Sequence, residues 1–401
     1  MSDNFLYLDY AATAPISDSV LRNYYDSIEI FGNPASFHKK GEVAYQALNK
    51  SKQNILTNLK HGDDWDIMFT SGATESINTV FYSFQPDLVI TSNLEHHATL
   101  AAIDHTKAKH IKLELFNSPV YWLDSDKYKK ILISIIAVNN ETGLIISPEK
   151  IKKAKEYVKS IYPDAEVIVH LDFTQGFCKI PYDMSEIDCY SFSAHKIGFF
   201  KGFGGLIYKK NTIDKYISEN PFMKGGSQQK GLRSGTENPM FVYLLNKLIE
   251  KEMADIEMNY TKAQILKSAF YQIIPEITEK YKKTIDLIFT SKNTEEYSPY
   301  IVNFSVLGIE GESLVSALGD KVGISTGSAC SEESLSGSEV IKNYYKDLGI
   351  KSEDTLNIYA NTAVRISYNS TLTINQIVEI FKPAFDSAIK NLAKASTYKK
   401  D

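Results

Sequence analysis

Serine, histidine and lysine crowd the end of one apolar run, Ser191-Phe192-Ser193-Ala194-His195-Lys196. Upstream, Val167-Ile168-Val169-His170-Leu171 ends in Asp172. Far downstream, Cys330 sits in Ser325-Thr326-Gly327-Ser328-Ala329-Cys330-Ser331. A lysine so placed is suited to Schiff-base formation with a carbonyl. To act as an amine base near neutral pH its pKa must fall ~2–3 units from ~10.4, which costs about 3–4 kcal/mol. A buried pocket and a conjugated cofactor supply such a shift, and pyridoxal 5'-phosphate (PLP) is the cofactor this set suits. Asp172 would pair with its pyridinium nitrogen and keep it protonated, so that the ring draws in electrons. Ser193 and His195 offer groups for a phosphate. Cys330 adds a nucleophile that ordinary PLP chemistry does not need.

Other stretches could serve the same site. Ser71-Gly72-Ala73-Thr74 lies between a strand pattern and a helix beginning near Glu75, where free backbone N–H groups bind phosphate. His96 can stack on a ring and move protons, or be an ordinary hydrogen-bonded loop histidine. Gly225–Thr236 is glycine-rich and polar, a surface loop that could present Thr236 to a phosphate. Arg365 interrupts a strand pattern and suits a bidentate grip on a carboxylate, with a structural ion pair as the alternative. Cys178 and Cys189 are expected to be buried. Small flanking residues predict solvent access for Cys330. Glu332 and Glu333 would raise its thiol pKa, so the thiolate must be generated in the active site.

The elements that position these groups read as α/β. Trp65–Thr70, Asp87–Thr91, Ile131–Val138, Glu166–Asp172 and Asp188–Phe192 are short and mostly apolar, as strands buried on both faces are. Helical segments such as Pro148–Ile161 lie between them, which predicts a mostly parallel, doubly wound sheet. Each strand leads at once into a polar cluster: Ser71–Thr74, Asn93–His97, Asn139–Glu141, Phe173–Gln175 and Ala194–Lys196. Ligands of open α/β sheets bind at the carboxyl ends of strands, so these clusters describe one pocket.

Around Tyr260 the character changes. A helical stretch over Phe241–Lys283 is expected to bridge to strand Ile301–Val306, a helix from Gly311, a helix over Ser338–Leu348 and strand Ala363–Tyr368. Thr373 and Gln376 read as a capping box, and Pro383 as a kink in the last helix. Residues 13–260 are expected to form a large cofactor-binding domain. Residues 1–12 and 261–401 are expected to form a smaller α/β domain carrying Cys330.

Composition narrows the class. The chain has 401 residues, 43% hydrophobic and 23% charged, enough for a sizeable core. A net charge of -5 argues against an electrostatic grip on nucleic acid. No apolar run approaches the ~18 residues of a membrane span, and no signal peptide is visible. Three widely spaced cysteines form neither a disulfide framework nor a metal site, and a reducing cytoplasm fits them best.

Taken together, these stretches resemble the NifS/IscS-type cysteine desulfurases, class V of the PLP-dependent transferases of fold type I. The matches are Tyr7–Thr13, Gly32–Ser36, Thr70–Ser76, Glu95-His96, Val138–Gly143, Asp172 with Gln175, Ser191–Lys196, Arg233–Asn238, Ser325–Ser331 and Arg365. The resemblance implies that Lys196 holds PLP, Asp172 pairs with the ring nitrogen and Gln175 bonds the phenolic oxygen. It implies that His96 stacks on the ring, and that Ala73, Thr74, Ser193 and His195 hold the phosphate, with Thr236 from a second subunit. A homodimer with shared sites follows. Asn140 would lie beside both cofactor and substrate, and Asn33, Asn140 and Arg365 would hold the carboxylate of L-cysteine. Cys330 would take the sulfur as a persulfide, release alanine and pass the sulfur to an acceptor protein. The family usually reads Gly-Pro-Lys-Gly where this chain has Phe199-Phe200-Lys201-Gly202, and threonine where it has Ala14. The bulky phenylalanines are expected to reshape the pocket mouth or a partner surface. A class V aminotransferase or a selenocysteine lyase would share the PLP residues without needing Cys330 in the same way.

Overall fold

Strand residues divide between two apolar layers with period two, as side chains alternate across a pleated sheet. Ile67, Phe69, Ile90, Ile133, Val169, Leu171 and Ile207 join one buried cluster, while Met68, Val89, Leu132, Ile168 and Leu206 join a second. This is the signature of a sheet covered on both faces. A computed structural model describes residues 5–113, 127–326 and 337–396.

Strand β1 (Leu6–Tyr7) lies outside the central sheet. That sheet comprises β2 (Trp65–Thr70), β3 (Leu88–Ser92), β4 (Lys109–Leu113), β5 (Lys130–Ile136), β6 (Glu166–Asp172), β7 (Cys189–Ser193) and β8 (Gly204–Lys209). Its order is β2-β8-β7-β6-β5-β3-β4, parallel except that β8 runs antiparallel to both neighbours. Helices α1 (Asp18–Ile28), α2 (Lys39–Asn58), α3 (Ala73–Phe84), α4 (His97–Asp104), α5 (Pro148–Ile161), α6 (Ile213–Glu219) and α7 (Pro239–Ala254) cover it. Val20, Leu48, Ile55, Ile151, Val158 and Val242 from α1, α2, α5 and α7 enter the first layer. Ile77, Val80, Ile103 and Ile213 from α3, α4 and α6 enter the second. Each such side chain contributes about 1.5–3 kcal/mol by leaving water.

Two strands of the central sheet escape the sequence reading. Edge strand β4 carries Lys109 and Lys112, charges that blunt an edge but mask a strand pattern. Strand β8 opens with Gly204-Gly205, which reads as a turn. A Cβ on Gly204 would lie 2.4 Å from the Phe192 carbonyl oxygen and 2.7 Å from the Gly72 Cα. The glycine is there for close approach to β7 and to the start of α3. Expected strand Ile131–Val138 stops at Ile136, because Asn139 Oδ1 accepts from the Glu141 and Thr142 amides and turns the chain.

The bridging helix is two helices, α7 and α8 (Ile256–Thr278), separated at Asp255. Beyond come β9 (Asp286–Phe289), β10 (Ile301–Leu307), α9 (Gly311–Leu318), β11 (Val322–Gly323), α10 (Glu339–Asp347), α11 (Glu353–Thr362) and β12 (Ala363–Ser367). Strands β12, β10 and β9 form an antiparallel sheet, and β1 pairs with β11. Thr373 and Gln376 make the expected capping box. The last helix passes through a π-helical stretch, Ile377–Phe381, just before Pro383, in place of a simple kink.

Candidate active site

The carboxyl ends of β2, β3, β5, β6 and β7 converge on one region, closed by the N-terminal segment and by β12. Lys196 follows β7 in the turn Ala194–Ile197. Its Nζ donates to the carbonyl oxygens of Ala11 and Ala12, each at 2.7 Å. The Ala14 amide donates to the His195 carbonyl at 3.0 Å, and His195 Nδ1 pairs with Thr13 Oγ1 at 3.1 Å. The N-terminal segment therefore forms a wall around the lysine. Burial, then Lys196, Lys201 and Lys179, push the His195 pKa down to about 4. Its ring is neutral near pH 7.

Ser193 Oγ accepts from the Ala73 amide at 2.8 Å, which ties β7 to the first turn of α3. Helix α3 begins at Ala73 after Gly72 and has no side-chain cap, so its N-terminus keeps amide donors for an anion. Thr74 stands in that turn. Beside it Glu75 binds Arg233 at 2.8 Å and the Ser71 amide at 2.7 Å. The Thr236 side chain is exposed, on the far side of that ion pair in sequence.

Asp172 ends β6, buried, its Oδ1 accepting from the Thr174 amide at 3.0 Å. Gln175 donates through Nε2 to the Ala11 carbonyl at 2.9 Å and accepts at Oε1 from Lys179 Nζ at 3.0 Å. His96 caps α4, its Nδ1 accepting from the Ala98 amide at 3.1 Å. In the neutral ring the proton is then on Nε2. Burial lowers the His96 pKa, Asp172 opposes that, and Lys196 and His97 add to it.

Arg365, on β12, is 4% exposed. It donates through Nη1 to the Asn140 carbonyl at 2.9 Å and through Nη2 to Asp9 Oδ1 and Ser325 Oγ, each at 2.8 Å. Both alternatives from the sequence are thus in play, because a structural ion pair exists and donor capacity remains. Arg365 Nε and Asn140 Oδ1 are buried and have no hydrogen-bond partner among the described residues. A bound ligand with a carboxylate and polar groups would satisfy them. The Asn33 side chain makes only a local bond to the Ala35 amide among the described hydrogen bonds, and Asn33 is exposed. Within one chain, neither Asn33 nor Thr236 has a described hydrogen bond to the rest of the cluster.

Cys330 lies outside the described residues. Cys178 and Cys189 are free and buried, as expected, and burial raises both thiols. Phe199 lines a cavity with Phe200, Lys201, Thr13, Ala14 and Pro15, beside the segment that walls Lys196. It is 2% exposed and packs on Phe203 and Phe241, while half-buried Phe200 stacks on Phe241 at 5.2 Å and faces Tyr24. Sequence reasoning missed Asp9 and Lys179. Asp9 gave no pattern signal, since its partner is 356 residues away. Lys179 did, standing four residues past Gln175.

An aspartate at a strand end, a lysine facing carbonyls, an uncapped helix N-terminus and unsatisfied buried polar atoms together fit PLP. Residues 6–377 match the model of the class-V aminotransferases. The chain belongs to that family. Among curated relatives it is 33% identical over 394 residues to the cysteine desulfurase IscS of Buchnera aphidicola subsp. Baizongia pistaciae, with 93% of this chain and 90% of the relative covered. It is 34% identical to the IscS of Dictyoglomus turgidum, with 84% of each covered. Among solved structures, a NifS-like protein from Rickettsia africae superposes with a TM-score of 0.76 at 24% identity, covering 97% of this chain and 99% of that one.

Proposed function

We propose that this protein is a PLP-dependent cysteine desulfurase, which converts L-cysteine to L-alanine and keeps the sulfur as a persulfide on Cys330 for an acceptor protein. The observation that carries the reading is the convergence of Lys196 and Asp172, at the carboxyl ends of central-sheet strands, with buried Arg365 of β12, which bonds to Asn140 beyond β5, in a chain about one-third identical to enzymes named for that activity.

Lys196, Asp172 and Gln175 would hold the cofactor ring, with His96 stacked on it and Asn140 beside it. Ala73, Thr74, Ser193 and His195 would hold its phosphate. When bound, PLP supplies an electron sink for the bonds at the substrate α-carbon. The chain's own groups do the rest. Arg365 and Asn140, joined by Asn33, orient the substrate carboxylate. The Lys196 amine takes the α-proton. The Cys330 thiolate attacks the substrate sulfur. An S–S bond forms as the C–S bond breaks, and the bonding pair leaves with the three-carbon fragment, which is protonated to alanine. Cys330 is five residues past Ser325, whose Oγ touches Arg365. The covalent chain therefore keeps its Cα within about 18 Å of the Ser325 Cα.

A large domain of residues 13–260 would carry the cofactor, and residues 1–12 with 261–401 would carry Cys330. The separate sheets support that division. A homodimer is supported by exposed Thr236 and by the exposed apolar side chains of Leu21, Tyr25, Phe31, Phe37 and Tyr45, on and between α1 and α2, which a second copy would cover. A cytoplasmic setting is supported by the two free thiols. Among the described residues no helix is long and apolar enough to cross a membrane.

The test is an absorbance scan of purified protein with L-cysteine and a thiol reductant, assaying alanine and sulfide in wild type and Cys330→Ala. A yellow protein that makes both products only with Cys330 intact is the expected result. A yellow protein indifferent to Cys330 would be an aminotransferase or selenocysteine lyase. A colourless one would remove PLP from the account.

A further inference from the structure

Lys179 lies in the turn after β6, in Gln175-Gly176-Phe177-Cys178-Lys179. The Lys179 and Ile180 amides both donate to the Gly176 carbonyl at 2.9 Å. Cys178 just before it holds φ at +54°, a left-handed conformation uncommon outside glycine. The side chain is aimed inward, and its Nζ stops 3.0 Å from Gln175 Oε1. None of the described ion pairs includes Lys179. A lysine so placed is not there for charge pairing, and among the described hydrogen bonds its amine has one partner, an amide.

That partner matters because an amide has two faces. A glutamine side chain is free to turn over and present oxygen or nitrogen. With Oε1 occupied by Lys179, only Nε2 remains for other groups. Nε2 already shares the Ala11 carbonyl with Lys196 Nζ, so the Gln175 donor lies beside the lysine. We infer that Lys179 is a positioning residue, locking the Gln175 amide so that a donor faces the cofactor oxygen next to Lys196. The inference rests on the PLP reading above.

The surroundings agree. Burial, then Lys196, then Arg365 lower the Lys179 pKa to about 7, with Cys178 opposing. Lys251, Glu252 and Asp255 from the α7–α8 junction line the same cavity of about 760 Å³, into which Lys196 also opens. Once the Lys196 nitrogen has lost its proton, one cationic neighbour is gone and Lys179 holds its own proton more firmly. A donor beside a phenolic oxygen, backed by positive charge, stabilises the oxygen as an anion and disfavours a proton shared with the Lys196 nitrogen.

The test is a pH titration of the visible band of the PLP-loaded protein, with thermal melting as a check on folding. Lys179→Met is expected to raise the midpoint by about one unit, and Lys179→Arg to stay near wild type. In a Gln175→Leu background, Lys179→Met should add little. An unchanged midpoint in Lys179→Met would overturn the inference, as would a full shift persisting without Gln175. If Lys179→Met does not fold, Lys179→Gln serves the same comparison. A wild type with no visible band would instead be failure of the PLP reading, so the two failures are distinct.

Discussion

Arg365 Nη2 stands 2.8 Å from Asp9 Oδ1, joining β12 to the N-terminal segment inside the candidate site. The guanidinium that would receive a substrate carboxylate is therefore already neutralised by a carboxylate of the chain. Ser325 Oγ bonds to both partners at 2.8–2.9 Å, so the three groups form one node. A substrate carboxylate bound there would share the arginine with Asp9 through donors not yet spent.

Removing the competing charge should strengthen that sharing. Asp9→Asn keeps an acceptor oxygen for Arg365 and Ser325 but drops the negative charge. KM for L-cysteine is expected to fall several-fold, with kcat moved less, since a change of about 1.4 kcal/mol is tenfold. Arg365→Lys should do the reverse and raise KM by about tenfold or more, because an ammonium lacks the planar fork. Steady-state kinetics on both variants check the pair, and a raised KM in Asp9→Asn would count against competition.

Asp172→Asn tests the proposed pairing with the ring nitrogen. The variant keeps the shape of a buried group and an acceptor for the Thr174 amide. The protein should still bind PLP and melt near the wild-type temperature, while kcat falls by about 100-fold or more. Normal turnover would assign Asp172 a purely structural place.

Thr236 can be placed by subunit mixing. Lys196→Ala and Thr236→Ala chains are each expected to be impaired. In a hybrid dimer, the chain that keeps Lys196 meets the intact Thr236 of its partner. Activity should therefore reappear on mixing if Thr236 serves the neighbouring site. No recovery in verified hybrids would place Thr236 in its own subunit's site or in none.

Glu95 sets a pH dependence of stability. It is buried, accepting from Ser92 and Ile136, and burial raises its pKa to about 8, with Asp172 adding a smaller push. Unfolded, it would titrate near ~4.3. Between those values the folded chain holds a proton that the unfolded chain has lost, so Glu95 makes stability fall as pH rises. The slope is about 1.4 kcal/mol per pH unit for one proton. Glu95→Gln should remove it, so the melting temperature of the variant should gain on wild type steadily from about pH 4.5 to 8. His170, held between Ser134 and Ser191 and pushed by burial to about 3, has the opposite sign below ~6.5. A difference between wild type and variant cancels it.

Much of the architecture was legible because burial on both faces leaves a local trace. Strands β2 and β6 match their expected bounds, since each is a short run ended by a polar cluster. Strand β8 was not legible, because Gly204 and Gly205 answer a steric demand made by Phe192 and Gly72, residues remote in sequence. Asp255, where the long helix divides at φ -103° and ψ 4°, is neither glycine nor proline, so no breaker residue marks the division in the sequence.

For the site, the residue types were enough to nominate Lys196, Asp172, His96 and Arg365, because Schiff-base chemistry, an electron sink and carboxylate binding each demand a particular functional group. Local spacing also placed Lys196, Asp172 and His96 at or just past strand ends. Which groups touch was decided only in three dimensions. The carbonyls of Ala11 and Ala12 on Lys196 and Asp9 on Arg365 are contacts of 2.7–2.8 Å that tertiary packing alone creates, while Lys179 on Gln175, at 3.0 Å, is a contact between residues four apart. Three of those four span 184 residues or more of chain, beyond the reach of any local pattern, and hydrogen bonds depend on distance in space and not along the sequence.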